Sequence, residues 1–278
     1  MNAFETFIYF FQKPSATPTI FGWYHILCLI VMIALITLIF IFRHKITQKG
    51  VKYTVLTVGL LLLIFEIIKQ LVYSFSWNNA TQTASWGYQW YAFPFQFCST
   101  PMYLMILAGL CKKGKLQNAL YAYLATFALF GGLAVMIYPG DVFSSTLYIN
   151  FQTMFWHGSM TVIGFLLWAT NSVECKQKST LKASFVFLAV LSLAMLSNYI
   201  WKWAGGVSTG QTFNMFYISP FYPCTLPLLS IIYTKVPYIV FLLSYILGFI
   251  LVSYIIVFIA ISIHNTYVYG KRKRQKTA

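Results

Sequence analysis

Two residues in this chain have the types and setting for covalent chemistry, Cys98 and His157. A thiol attacks a carbonyl carbon once a base has taken its proton, and an imidazole is well suited to be that base. Cys98 stands in Tyr91-Ala-Phe-Pro-Phe-Gln-Phe-Cys-Ser-Thr-Pro101, bracketed by two prolines. A proline inside a helix removes a backbone hydrogen bond and frees a carbonyl. In a membrane such a break persists where protein or water re-satisfies the backbone, often in a cavity wall. The third apolar segment is therefore expected to be a distorted helix carrying Cys98. The alternative is a small thiol that only fills space. His157 stands in Phe151-Gln-Thr-Met-Phe-Trp-His-Gly-Ser-Met-Thr161, at a depth matching Cys98. Its alternative role is a hydrogen bond that fixes helix packing.

Other polar residues form the expected substrate-binding set. Glu66, Lys69 and Gln70 are spaced by three and four, which puts them on one helix face. Pairing limits the cost of burying a Glu and a Lys, so the pair is either scaffold or a site. As a site, Lys69 would bind a phosphate or carboxylate, and Glu66 would orient Lys69 or His157. His25, Gln96 and Asn198 lie, like Lys202, in the same half of their segments. All fall within about two helical turns of one end, at ~1.5 Å rise per residue. Polar groups in a bilayer are costly, so their common depth suggests a shared pocket open to the outer leaflet. Asn214 lies in the long connector 204–235, rich in aromatics and prolines. That connector is expected to cap the pocket, or to rest in the interface on its aromatic residues.

The elements that must position these residues follow from composition. The chain has 278 residues, 59% hydrophobic and 8% charged, which excludes a soluble or a disordered domain. Seven stretches are long enough for ~30 Å of hydrocarbon: 21–42, 53–73, 91–111, 116–137, 151–170, 182–203 and 236–263. The expected fold class is all-α, a polytopic membrane bundle of seven transmembrane helices in one domain, 1–278. The net charge of +15 does not read as nucleic-acid binding, because of where it sits. Basic residues crowd one set of connectors (Arg43, Lys45, Lys49 and Lys52; Lys112, Lys113 and Lys115; Lys176, Lys178 and Lys182) and the tail 264–278. The alternate connectors 74–90, 138–150 and 204–235 carry only Asp141 and Lys235. This is the positive-inside pattern, with the N-terminus outside and the C-terminus cytoplasmic. The expected location is the cell membrane, multi-pass.

The tail, with Lys271, Arg272, Lys273, Arg274 and Lys276, is a topology anchor that can meet anionic lipid head groups. Residues 1–20 are aromatic and amphipathic and are expected in the outer interface, with no cleaved signal peptide. None of Cys28, Cys98, Cys111, Cys175 and Cys224 forms a CxxC pair or a metal-ligand spacing, so no metal and no cofactor is expected. Cys98 and Cys224 both lie toward the outside, which leaves a disulfide between them open. No phosphate-binding loop, GxGxxG, HExxH or GxSxG signature is present.

Taken in order, Phe21-Gly-Trp-Tyr-His25, the Glu–Lys–Gln second segment, the PxxxCS third segment and the Trp-His-Gly fifth segment resemble the YwaF-like bacterial integral membrane proteins. Asn214-Met-Phe-Tyr217 and Val236-Pro-Tyr238 extend the likeness over nearly the whole chain. That family looks like a relative of eukaryotic transmembrane acyltransferases that use a cysteine acyl intermediate to build ether phospholipids. The resemblance implies Cys98 as nucleophile and His157 as its partner, acting on membrane phospholipids as acyltransferase or acyl hydrolase. A transporter, or a lipid-binding scaffold without turnover, is the competing expectation. The charge pattern makes a direct topological prediction. Single cysteines introduced at Tyr88 and Ser145 should react with a membrane-impermeant thiol reagent from outside the cell. Those introduced at Lys113 and Gln177 should react only after permeabilisation. Protease access to Lys273 from outside would contradict the orientation.

Overall fold

The computed structural model describes the backbone of residues 1–277 and the side chains of residues 1–266. The basic residues 271–276 therefore lie outside the described side chains. The chain folds into helices with one small hairpin. A capping box starts α1, Ala3–Phe11: Glu5 N–H donates to Asn2 Oδ1 at 2.8 Å and Asn2 N–H to Glu5 Oε2 at 2.7 Å. Helix α2 is Trp23–Phe42. Thr47 caps α3, Gln48–Ser74, by accepting from Gly50 N–H at 3.0 Å. Strands β1, Phe75–Asn78, and β2, Thr83–Trp86, pair antiparallel with Phe75 opposite Trp86. Then come α4, Thr100–Leu110, α5, Lys115–Ile137, α6, Leu147–Ala169, and α7, Lys178–Trp203. A short α8, Leu229–Tyr233, precedes α9, Tyr238–Thr277.

Among the described residues five helices are long and apolar enough to cross a membrane: α2, α3, α5, α7 and the part of α9 over Tyr238–Thr266. The outward faces of α2 and α9 carry exposed Ile30, Leu38, Leu243, Leu247 and Leu251, which suit a lipid surround. The 23 residues of α6 are long enough, at ~1.5 Å each, but polar: Asn150, Gln152, Thr153, His157 and Thr161 are buried among its neighbours. The third segment departs from expectation. Only 11 residues of 91–111 form the helix α4, roughly half of a ~30 Å span. Pro101 lies in the first turn of α4, where its missing N–H is not needed, so it starts the helix instead of kinking one. Ahead of it the chain runs through one 3₁₀ turn, Trp90–Ala92, and then irregular backbone. Cys98 therefore lies just before the capping residue Ser99, not on a helix. Cys98 and Cys224 are both free, so no disulfide joins them.

The connectors sort onto two faces. On one, Gln12 Nε2 donates to the carbonyls of Val72 and Phe75, and Ser15 N–H donates to Ser145 O at 2.8 Å. These bonds tie the N-terminal residues to the hairpin and to the start of α6. On the other face Lys49, Lys52, Lys113 and Lys182 surround one cavity, so three basic connectors share a side.

Helix α6 packs against α2, α3 and α5. Its approach to α5 requires Gly132, where a Cβ would stand 2.7 Å from both His157 O and Thr161 Oγ1. Small residues allow such close contact, which packing attraction and interhelical hydrogen bonds hold in a bilayer. One turn of α5, Leu124–Ala128, is wound as a π-helix, and within it Ala125 O accepts from Trp168 Nε1 at 2.8 Å. Within that turn Phe127 stacks on Phe187 at 4.6 Å, and Phe187 stacks on Phe249 at 5.6 Å, which joins α5, α7 and α9. Gly132→Val should force α5 off the α6 backbone and cost about 1–3 kcal/mol, the usual range for overpacking. Gly248→Ala, where a Cβ meets nothing within 4 Å, should be near neutral. Thermal unfolding of the two variants in detergent checks both.

Candidate active site

His157 is 4% exposed on α6. Its Nδ1 lies 2.7 Å from Thr153 O, one turn back on the same helix. A carbonyl only accepts, so Nδ1 carries the proton and donates. In the neutral ring Nε2 is then the unprotonated nitrogen. That Nε2 is buried and has no hydrogen-bond partner. His25 has the opposite arrangement. Its Nδ1 accepts from Phe21 N–H at 2.9 Å, so Nε2 donates to Met136 O, 2.8 Å away. Both its nitrogens are spent on main chain, which makes His25 a tie between α2 and the end of α5, stacked against Phe21.

Next to His157, Trp156 links the two segments of interest: its Nε1–H donates to Cys98 O at 2.7 Å. Lys69 Nζ lies 5.9 Å from the Trp156 ring centroid and 2.8 Å from Glu66 Oε1. Lys69 is within electrostatic reach of both Cys98 and His157. Glu66, 3% exposed, also accepts from Gln70 Nε2 at 2.7 Å through Oε1, while Oε2 is buried without a partner. Glu66 thus orients Lys69 and Gln70, and Thr153, not Glu66, orients His157. Gln70 Oε1 in turn accepts from Tyr88 O–H at 2.7 Å. Tyr88 lines an open cavity of about 600 Å³ at the hairpin face, with Ser74, Trp86, Trp90 and Phe93. A chain of polar contacts therefore runs from that cavity through Tyr88, Gln70 and Glu66 to Lys69.

Gln96, Asn198 and Asn214 act on one loop instead. Gln96 Nε2 donates to Asn214 O at 3.1 Å, and Gln96 Oε1 accepts from Phe216 N–H at 3.0 Å. Asn198 makes the same two-way clamp on Met215, donating to its carbonyl at 3.1 Å and accepting from its N–H at 2.8 Å. Asn214 closes the loop on itself through Pro223 O and Ser219 N–H. The clamps hold Phe216 and Tyr217 at φ 59° and 58°, in the left-handed region, which costs a non-glycine residue roughly 1–2 kcal/mol. Phe216 is fully buried, its ring 5.7 Å from that of Phe97, the neighbour of Cys98. The connector does fold back onto the Cys98 segment, and amides do that work.

The structure thus joins Glu66, Lys69 and Gln70 to one another and, through Trp156, sets Lys69 beside the Cys98 and His157 segments. It does not bond Cys98 to His157 directly, since His157 Nε2 has no partner. Ser99 and Thr100 N–H both donate to Gln96 O, at 2.9 and 3.1 Å. The groups that prolines release are carbonyls, which cannot hold an oxyanion, so Lys69 is the cation at hand. Thr153, Trp156 and Tyr88 were missed from sequence; the first lies one helical turn from His157, and that spacing was the available signal. Among the described residues no group of three or more His, Cys, Asp or Glu could hold a metal.

The clamp makes a prediction. Asn198→Ala leaves Met215 N–H buried without a partner and its C=O with only the long bond from Ile218 N–H, 3.4 Å, and an unpaired buried group costs about 1–3 kcal/mol. The variant should unfold at lower temperature and exchange amide hydrogens faster over residues 213–224. Asn198→Asp keeps the acceptor and should lose less.

Comparison with known proteins adds one positive finding. No curated protein and no solved structure matches the chain. A family model described as the TMEM164 family matches residues 20–254, a range that holds every site residue above. With its apolar helices and a match over most of its length, the chain belongs to the TMEM164 family of transmembrane proteins.

Proposed function

We propose that this protein is a membrane-embedded lipid acyltransferase in which Cys98 is the nucleophile and His157 the general base. The observation that carries the reading is the lone pair on His157 Nε2, buried, fixed in direction by the Thr153 bond and without a partner. A general base needs such a free lone pair. Supporting it are the Trp156 bond to Cys98 O and the position of Lys69 near both residues.

In this mechanism Cys98 Sγ attacks the carbonyl carbon of a phospholipid ester as its proton passes to His157 Nε2, through one water or after a rotation of the thiol. The tetrahedral oxyanion faces the Lys69 ammonium, an electrostatic arrangement of the oxyanion-hole type. When the carbonyl reforms, the bond between the acyl carbon and the ester oxygen breaks, and that oxygen leaves on the glycerol with the proton from His157. A thioester remains on Cys98. An acceptor alcohol then gives its proton to His157, attacks the thioester and releases the thiol; with water as acceptor the same steps hydrolyse the ester.

The topology that goes with this reading has seven crossings, basic face in the cytoplasm. The third is made by the irregular residues 90–99 followed by α4. Irregular backbone at membrane depth is tolerated where protein covers it, as the 213–219 loop does here.

Three variants test the chemistry. Purified protein incubated with acyl-labelled phospholipid should acquire a hydroxylamine-sensitive label. Cys98→Ala should lose the label while remaining folded. His157→Gln should acquire it about 10²–10⁴-fold more slowly, the usual contribution of a general base. Cys28→Ala, in the separate cluster of Met32, Met136 and Met154, should behave as the parent. Equal labelling and equal lipid profiles of the parent and Cys98→Ala would end the acyltransferase reading in favour of a transporter or scaffold.

A further inference from the structure

On the face opposite the hairpin, the ends of α3, α5 and α7 enclose a cavity of about 550 Å³. Four lysines line it, Lys49, Lys52, Lys113 and Lys182, against one carboxylate, Glu174. Glu174 is engaged by Lys178 at 3.0 Å and by Lys182 at 3.2 Å, and those bonds hold its carboxyl below the usual range. It is already neutralised. Among the described residues Lys49, Lys52 and Lys113 have no carboxylate within ion-pair distance. Three connectors far apart in sequence thus bring ammonium groups to one concave surface, where they repel one another until an anion enters.

A second observation, independent of charge, points to a ligand. Tyr121 lines the same cavity, is 4% exposed, and its hydroxyl has no hydrogen-bond partner. Leaving a buried hydroxyl unpaired is costly, so such a group commonly meets a ligand or an ordered water. A phosphate supplies what both features lack: formal charge for the lysines and an acceptor oxygen for the hydroxyl. Lysine is a well-suited point-charge partner for it. The volume lies within the ordinary range for small-molecule sites.

We propose that this cavity is a binding site for a phosphate-bearing anion, held by Lys49, Lys52 and Lys113 at the rim and by the Tyr121 hydroxyl within. The phosphate belongs either to the head group of an anionic lipid from the same leaflet or to a soluble phosphate. The proposal does not depend on acyl transfer at Cys98, because the two sites share no residue.

Binding on the full-length protein in detergent tests it with two probes. Native mass spectrometry reads retention of phosphatidylglycerol against phosphatidylcholine, and calorimetry reads inorganic pyrophosphate. The parent is expected to retain phosphatidylglycerol at least ten-fold over phosphatidylcholine, or to bind pyrophosphate; which of the two occurs identifies the source of the phosphate. The combined variant Lys49→Ala, Lys52→Ala, Lys113→Ala should lose that binding, and the Lys→Arg versions should keep it. Tyr121→Phe should weaken it several-fold, whereas Glu174→Gln should tighten it by removing the competing carboxylate. Cys98→Ala should bind as the parent, so failure here and failure of the acyltransferase reading are separate results. A parent that binds neither probe, or a triple-alanine variant that melts as the parent and binds equally well, overturns the proposal.

Discussion

The hydrogen bond from His157 Nδ1 to the carbonyl of Thr153 decides which ring nitrogen keeps its lone pair, and the rest of the proposed chemistry depends on that choice. The bond is local, one turn of α6, but the place it aims Nε2 is set by tertiary packing. Gly132 lets α5 come within contact of the His157 carbonyl, and Trp156 reaches the Cys98 carbonyl from the next position on α6. A bond inside a single helix therefore becomes a constraint between two segments far apart in sequence. His25 shows the contrast. With the same side chain and similar burial, its two nitrogens meet main-chain groups at both ends, and what remains is a structural tie.

The opposite treatment of two polar groups follows one principle. In a low-dielectric interior every unpaired polar atom carries a penalty, so most are paired. Gln96, Asn198 and Asn214 pair every partner they can reach and so hold two left-handed residues of the 214–219 loop in place. Glu66 Oε2 and His157 Nε2 are left open in a molecule that elsewhere satisfies its amides. Both lie on helices that carry Lys69 and Trp156 next to Cys98. In the proposed function those two orphaned atoms are where a substrate would complete the structure.

Much of this architecture is legible in the amino-acid order. Uninterrupted apolar runs give the long helices α2, α3, α5, α7 and α9 directly, because a bilayer demands internally satisfied backbone over about twenty residues. The one-sided placement of Lys49, Lys52, Lys113 and Lys182 is visible as well, and the structure gathers them at one cavity. The third segment is where the reading fails. Pro94 and Pro101 looked like breaks within one helix, but Pro101 begins α4, and the chain before it is held by Gln96 and by the returning loop. That support comes from residues more than a hundred positions away, which no local pattern displays. The polar set also divides in space: shared depth predicted one pocket, but depth says nothing about azimuth around each helix. Glu66, Lys69 and Gln70 face the Cys98 side, Asn198 and Gln96 face the loop, and His25 faces Met136.

Membership in the TMEM164 family fixes the class of molecule, and the chemistry must come from the site itself. The most direct measurement is mass spectrometry of the proteolytic peptide that contains Cys98 after brief incubation of the purified protein with a defined phospholipid. The account predicts a mass increment of one acyl chain on Cys98, removed by hydroxylamine and accumulating when no acceptor alcohol is supplied. An unmodified Cys98 in protein that still transfers or hydrolyses acyl groups would contradict it.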